Sequence, residues 1–359
     1  MPAVSMLPHR EGNELCRARV GRKNEIKGAL SMLYPLLFEA NMFPIVWGGH
    51  RLREIKGLEP GDEPIGESWE VSAVPGKESV VGNGELKGRN LRELASEYGA
   101  ALLGQSVFDR YGTEFPMLVK LIDAEHDLSI QVHPNDELAM KRHGCMGKTE
   151  MWYVVDAKPG TYLYAGFAKS ITGEEYRRRV EDGTICDVLA KHNIRPGDAF
   201  FIPAGRVHAI CGGALIAEVQ QSSDITYRIY DYGRMGMDGK PRELHTELAV
   251  DALDYTVHQE YALDYPKDRN RSNLVCGCDF FEVRRMTLDA PIDRRMGHHD
   301  SFVIYMCLQG KCTLDNNVQL RCGQSCLVPA VCADDIKLVP AACGEPVELL
   351  EVFIPQPGH

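Results

Sequence analysis

The chain has 359 residues, of which 44% are hydrophobic and 25% are charged, so its composition is that of a folded protein and not of a disordered one. A formal net charge of -11 argues against nucleic-acid binding, because such proteins neutralise phosphates with a basic surface. No stretch reaches the roughly 18 apolar residues of a membrane helix. The length allows two or three folding units around a sizeable core.

The N-terminal segment and the cysteines indicate the cellular compartment of the protein. Basic residues precede an apolar run, but Pro35 interrupts the run and no small-residue cleavage pattern follows it, so residues 1–31 are predicted to form a poorly ordered extension. Twelve cysteines without a regular framework favour free thiols in a cytoplasmic protein. Six of them lie close together near the C-terminus, where buried apolar side chains are the main interpretation and a zinc or redox cluster is the alternative: Cys307, Cys312, Cys322, Cys326, Cys332 and Cys343.

From Leu33 onward, short apolar runs alternate with Gly, Pro and Asn, a pattern that predicts strands and turns. Two helices are predicted to interrupt the strands. The first begins at Asn90, whose side chain can cap it, and ends near Gly104. The second begins at Thr172, where Glu175 completes a capping box, and a short helical piece with the sequence CDVLAKH follows.

The stretch IRPGDAFFIPAGRVHAI has an informative spacing of glycine, proline and histidine. Gly197 permits a tight turn, AFFI reads as a buried strand, and the turn from Pro203 to Gly205 directs His208 toward the interior. This spacing resembles the second sequence motif of the cupin superfamily. The resemblance implies a mainly β fold built on cupin, jelly-roll-like barrels.

A cupin metal site takes its other ligands from an earlier strand pair, and the stretch SIQVHPND offers Gln131 and His133. These residues are two apart, so on a strand they face the same side. Glu150 opens the apolar strand EMWYVV, where an inward carboxylate is costly unless it binds a cation. Together with His208, these residues form a donor set that suits Zn(II) and also allows Fe(II) or Mn(II).

Longer stretches resemble the type I mannose-6-phosphate isomerases in their shorter bacterial form. They lie between Trp47 and Arg234 and include WGGHRL, IGESWEVS, LVKLIDAEHDLSIQVHPND, GKTEMWYVVDA, IPAGRVHAI and ITYRIYDYGR. The resemblance implies one zinc ion per subunit on the four residues above. It also implies reversible conversion of mannose 6-phosphate into fructose 6-phosphate through an enediolate.

The same resemblance implies roles for four further residues. Arg228, in the stretch TYRIYDY, matches a catalytic arginine, and Lys148, in the stretch GKTE, matches an active-site lysine. Lys120 and Ser129 match positions near the substrate pocket. The general base stays unassigned, and two acidic residues are reserve candidates for proton transfer: Asp231 and Glu70.

The C-terminal part repeats the same pattern without its histidine. The stretch FVIYMCLQGKCTL is followed by Gly323, five residues and Pro329, but PAVCADDI offers no metal ligand equivalent to His208. We therefore predict two units: a catalytic metal-binding cupin domain over residues 32–262, with a helical insertion around 168–193, and a cupin-like domain without a metal site over residues 270–359.

Two other functions fit part of this pattern. Two histidines and one carboxylate also satisfy the Fe(II) site of a cupin oxygenase, although that function leaves Lys120, Lys148 and Arg228 without a shared purpose. A non-catalytic cupin would bind a sugar phosphate without converting it. The expected partner is a small sugar phosphate, with no nucleic-acid or membrane partner, and the expected state is a monomer or weak homo-oligomer.

Overall fold

A computed structural model describes residues 33–315, 317–341 and 346–356. The predicted extension over residues 1–31 lies outside this part of the chain. Within it, the structure contains 21 strands and seven α-helices, so the prediction of a mainly β fold is confirmed. The strands form four sheets, and the recorded strand order of each sheet is open and does not close into a barrel among the described residues.

The N-terminal half contains two of the sheets. Sheet I has the order β2-β3-β4-β11-β6-β9, and sheet II has the order β12-β5-β10-β7-β8. Their strands are β2 Asn41–Gly49, β3 Ile65–Val71, β4 Met117–Asp123, β5 Ile130–Val132, β6 Glu150–Ala157, β7 Tyr162–Phe167, β8 Leu189–Asn193, β9 Ala199–Ile202, β10 His208–Ile210, β11 Ala214–Gln221 and β12 Tyr227–Tyr230. Every pairing between these strands is antiparallel.

The C-terminal half contains the other two sheets. Sheet III has the order β1-β19-β16-β21-β14-β13, and sheet IV has the order β15-β20-β17-β18. Their strands are β1 Leu36–Leu37, β13 Asn273–Gly277, β14 Glu282–Leu288, β15 Ile292–Arg294, β16 Val303–Gln309, β17 Lys311–Leu314, β18 Val318–Arg321, β19 Ser325–Val328, β20 Ile336–Pro340 and β21 Val347–Phe353. Strand β1 comes from the start of the described chain and pairs with β19, so the first strand completes the C-terminal half. The predicted domain boundaries stay a prediction.

The four sheets stack in the order II, I, III and IV. Trp152 of sheet I and Ala165 of sheet II belong to one buried apolar cluster between these two sheets. The outer face of sheet I packs on sheet III through a second cluster, which includes Met151 and Ile304. A third cluster fills the space between sheets III and IV. Burial of these apolar faces is the main force that holds the layers together.

The helices lie in the connections between the strands. They are α1 Arg51–Ile55, α2 Leu91–Tyr98, α3 Ala100–Leu103, α4 Gln105–Tyr111, α5 Asp136–His143, α6 Gly173–Glu181 and α7 Thr246–Ala252, with 3-10 turns at Ile185–Val188, Gly297–His299 and Ala330–Cys332. Both predicted caps form, because the Asn90 side chain accepts the backbone N–H of Glu93 and the Thr172 hydroxyl accepts that of Glu175. The predicted helix starts are confirmed.

Two local predictions were wrong. The first helix ends at Tyr98, before the predicted end near Gly104, because Gly99 adopts a φ of 46°. Two further short helices follow it. The stretch CDVLAKH is a 3-10 turn followed by strand β8. That strand pairs with β7, His192 lying opposite Leu163, so the sheet pairing overrides the helical pattern.

Candidate metal centre and active site

The candidate metal centre lies between sheets I and II. Gln131 on β5 pairs with His208 on β10 on one side and with Arg228 on β12 on the other. Directly opposed residues of neighbouring strands share a face, so these three side chains form a row across sheet II. His133 directly follows β5, and Glu150 enters from the first position of β6 in sheet I.

Three side chains converge on one point. The Nε2 atoms of His133 and His208 are 3.1 Å apart, and each lies 3.4 Å from one carboxylate oxygen of Glu150. All three residues are buried. They form the only group of at least three histidine, cysteine or acidic side chains with metal-ligand spacing in the described part of the chain. The amide nitrogen of Gln131 is 3.2 Å from His208 Nε2, and rotation of the amide by 180° presents its oxygen to the same point.

The hydrogen bonds around the histidines fix which nitrogens face the centre. His133 Nδ1 donates to the carbonyl of Ile225 at 2.9 Å, and His208 Nδ1 donates to the carbonyl of Arg206 at 2.8 Å. In the neutral imidazoles, both Nε2 atoms are therefore acceptors with lone pairs directed at each other. Two facing acceptors repel unless a cation lies between them.

The protonation states support the same interpretation. Burial, together with the charge of Lys148, lowers the pKa of His133 to about 3, and burial also lowers the pKa of His208. Both carboxylate oxygens of Glu150 are buried without a hydrogen-bond partner in the described structure. A buried carboxylate without hydrogen bonds, beside two neutral imidazoles whose lone pairs face each other, is costly by itself, so this donor set fits a divalent metal ion.

The centre opens into a cavity of about 350 Å³. The cavity is lined by five residues that the sequence predicted for the site: Lys120, Ser129, Gln131, Lys148 and Arg228. The buried ligands His133, Glu150 and His208 are not part of its lining. The structure therefore brings all eight predicted site residues together, with the metal centre at the inner end of one cavity.

Lys148 connects the cavity to the metal centre. Its Nζ atom is 3.3 Å from Glu150 Oε2, and its side chain is only 6% exposed. Burial alone would raise the pKa of Glu150, but the ammonium of Lys148 and the two imidazoles hold that pKa well below its ordinary value. The carboxylate is therefore ionised and available as a metal ligand.

The wall of the cavity formed by sheet I is a row of aromatic and charged side chains. Lys120 Nζ is 3.2 Å from Glu218 and 3.7 Å from Glu67. Trp152 donates to Glu218 at 2.9 Å, and Trp69 donates to Glu67 at 2.7 Å. Burial and the charge of Glu150 raise the pKa of Glu218. Burial opposes the charge on Lys120, but its two carboxylate neighbours raise its pKa.

Sequence reasoning missed both of these carboxylates. Glu218 lies within the buried strand ALIAEVQQ, and a carboxylate in a buried strand is the same signal that identified Glu150. Glu67 and Trp69 are two apart on β3, so their side chains lie on the same face of the strand, toward the cavity. The strand pattern alone could have pointed to each of them.

The two reserve candidates for proton transfer do not line the cavity. Asp231 accepts hydrogen bonds from Arg234 and Arg242. Glu70 lies at the interface between the two halves, where it is paired with Lys56 and accepts a hydrogen bond from Ser68 at 2.6 Å. Strand alternation directs Glu70 away from the face that carries Trp69.

The fold and the site together are those of a cupin with a candidate metal centre, and similarity to known proteins gives its family. The model of the phosphomannose isomerase type I catalytic domain matches residues 36–160. The chain is 38% identical to mannose-6-phosphate isomerase ManA of Bacillus subtilis over 262 residues, which are 71% of this chain and 79% of that protein. It is 42% identical to mannose-6-phosphate isomerase of Streptococcus mutans over 223 residues, or 62% and 68% of the two chains.

A solved structure gives the same result. The crystal structure of mannose 6-phosphate isomerase from Bacillus subtilis matches with a TM-score of 0.78 and 32% identity, over 88% of this chain and 99% of that chain. The chain belongs to the type I phosphomannose isomerase family. The predicted family and enzyme class are confirmed. No helix in the described ranges is long and apolar enough to cross a membrane.

Proposed function

We propose that this protein interconverts mannose 6-phosphate and fructose 6-phosphate, with one zinc ion held by Gln131, His133, Glu150 and His208. The observation that carries the proposal is that the two Glu150 oxygens, without a hydrogen bond among the described residues, face two imidazole acceptors beside a cavity lined by cations. Membership in the family supports the substrate, since the relatives carry that activity in their names.

Moving a carbonyl between C1 and C2 requires loss of a carbon-bound proton and leaves negative charge on an enediolate. A bound zinc ion supplies Lewis-acid polarisation of the sugar oxygens, an effect worth several kcal/mol. The cavity residues must then orient the sugar, stabilise the developing charge and move protons. A positioned acid or base contributes about 10² to 10⁴ in rate.

Arg228 is the residue proposed to stabilise the enediolate. It lies in the same row as the proposed ligand Gln131, and its Nη1 atom donates to the carbonyl of Glu243 at 3.0 Å. Its buried Nε has no hydrogen-bond partner among the described residues. That donor is therefore free to bind an oxygen that becomes negative during the reaction.

Lys148 is proposed as the second catalytic group. Its ammonium is 3.3 Å from the ligand Glu150, so it can donate to a sugar oxygen beside the metal centre while it keeps the carboxylate ionised. Lys120 and Ser129 are proposed to bind substrate hydroxyls. Both are buried at the cavity wall, and Ser129 lies two residues before Gln131 on the chain.

A coupled assay with mannose 6-phosphate tests the proposal. Activity should disappear after chelation and return when zinc is added back. If a folded, zinc-loaded sample forms no fructose 6-phosphate, the isomerase proposal is wrong. Ligand binding without turnover would then support the non-catalytic cupin, and oxygen consumption with bound iron would support the oxygenase.

We also propose a reducing, cytoplasmic location. All ten cysteines in the described ranges are free thiols, which is typical of proteins in a reducing compartment. A monomer or weak homo-oligomer remains our proposal for the assembly. Size-exclusion chromatography with light scattering tests it, and a stable higher oligomer would contradict it.

A further inference from the structure

The charged side chains around the cavity are not evenly balanced. Lys120 is balanced by Glu67 and Glu218, and Lys148 by Glu150. Lys77 lies 3.5 Å from Asp224. Along these walls of the cavity, each cation therefore has a carboxylate within 4 Å, and none of them adds a strong net charge.

The end of the cavity formed after β12 is different. Arg234 and Arg242 share one carboxylate, that of Asp231. Arg228 has no carboxylate within 4 Å in the described structure, although burial and the neighbouring charge of Arg242 lower its pKa. Two guanidinium groups thus share a single aspartate and a third has no carboxylate within 4 Å, so cations outnumber their paired carboxylates at this end.

Arg242 is held in a fixed orientation at this end. Its Nε donates to Asp231 Oδ2 at 2.7 Å, and its Nη2 donates to Oδ1 of the same carboxylate. This two-point contact fixes the plane of the guanidinium. Arg242 lines the cavity, and no hydrogen bond in the described ranges uses its Nη1 atom. The edge of the Arg242 guanidinium that carries Nη1 is therefore rigid, charged and free to bind a ligand in the cavity.

We infer that Arg242 binds the phosphate of the substrate and that Asp231 is its positioning residue; this inference rests on the proposed function. A guanidinium fork matches the oxygens of a phosphate, and a phosphate dianion needs a region with an excess of positive charge. The metal centre and Arg242 would then bind opposite ends of the sugar phosphate.

Arg234 provides a matched control. It lies on the same loop, is equally buried and donates to the same Asp231 carboxylate, yet it is absent from the cavity lining. The variants R242Q and R234Q remove the same charge, so general electrostatic or loop effects should appear in both. Only loss of a direct phosphate contact should be confined to R242Q.

The test measures isomerase kinetics on zinc-loaded protein and competition by inorganic phosphate. R242Q should raise KM for mannose 6-phosphate about 10- to 100-fold, with kcat within about twofold, because the contact is equal in ground and transition states. The inhibition constant of inorganic phosphate should rise in parallel. R234Q should change either constant less than about threefold.

Equal effects of R242Q and R234Q, or a fall in kcat without a rise in KM, would overturn the inference. If R242Q does not fold, R242K serves instead: it keeps the charge but not the fork, and an unchanged KM would also overturn the inference. An inactive wild type would contradict the proposed function separately. In that case, calorimetric titration of inorganic phosphate into wild type, R242Q and R234Q still tests the site, because only R242Q should lose binding.

Discussion

Each half of the molecule contains a fully buried glutamate that faces the opposite sheet of its own pair. Glu351 on β21 accepts two hydrogen bonds from Arg294 on β15, at 2.8 and 2.7 Å, and further ones from Tyr305 and Ser272. Glu150 on β6 faces two neutral imidazoles, and its oxygens have no hydrogen-bond partner in the described structure. The same residue type, in the same kind of place, is fully hydrogen-bonded in one half, whereas in the other it has an ion pair with Lys148 at 3.3 Å and no hydrogen bond among the described residues.

The difference shows how two similar pairs of packed sheets acquire different roles. In the C-terminal half, the chain supplies its own cation, so the carboxylate joins the two sheets and needs no metal. In the N-terminal half, the chain supplies one ammonium, that of Lys148, at one Glu150 oxygen, and the two imidazoles present acceptors, so this donor set still fits a cation from solution. The metal centre is therefore recognised by missing partners as much as by the residues present.

The largest expected effect comes from removing the Glu150 carboxylate. The variant E150Q should lose bound zinc and lower isomerase turnover by roughly 10³-fold or more, because a metal ligand and its negative charge are lost together. Metal analysis and the coupled assay measure both. Full zinc content with normal turnover would show that Glu150 is not a ligand.

The variant E351A should affect stability instead. It leaves the Arg294 guanidinium, only 22% exposed, without its carboxylate partner, and breaking such a pair costs about 3 kcal/mol. We expect a lower urea midpoint with unchanged zinc content and unchanged turnover at temperatures where the protein is folded. Loss of zinc in E351A would mean that the two halves are not independent in this respect.

The residues of the candidate metal centre could be picked out from the sequence because much of the pattern is local. Gln131 and His133 are two apart at the end of β5, and the turn before His208 is encoded by glycines and a proline. The row that joins Gln131 to Arg228 could not be derived from spacing, since it depends on the pairing of β5 with β12, almost one hundred residues apart. Only the family resemblance indicated Arg228.

Other features were not predicted from the sequence, for related reasons. The pairing of Arg242 with Asp231 depends on how one loop folds back toward the cavity. Helix α5 was not predicted, although Asn135 caps it and acidic and basic residues occupy its first and last turns. In that case the signal was present in the sequence. Strand β8 required knowledge of its partner strand.

A mutation at the contact between the two halves should lower the free energy of unfolding by an intermediate amount. Lys56 and Glu70 form an ion pair that is 7% and 5% exposed, and Ser325 of β19 lies 3.4 Å from the same carboxylate. The variant E70Q leaves Lys56 buried without its counterion, so we expect a loss of about 2 kcal/mol in unfolding free energy.

Chemical denaturation of E70Q and of the double variant K56M/E70Q measures this effect. The double variant should recover part of the loss, because it removes the unpaired charge as well. Zinc content should stay unchanged, since Glu70 lies on the face of β3 opposite the cavity. A drop in zinc content would contradict the separation between the interface and the metal centre.

The smallest expected effect tests whether the C-terminal cysteines only fill space. Cys307, Cys312 and Cys326 are buried between sheets III and IV, and burial raises the pKa of each thiol, which keeps them neutral. The variant C326A should therefore cost about 1 kcal/mol in unfolding free energy, through lost packing alone. Metal analysis should still find one zinc ion per chain, with unchanged turnover. If C326A lost zinc while E150Q retained it, the cysteines would be the metal ligands and the contrast between the two halves would be reversed.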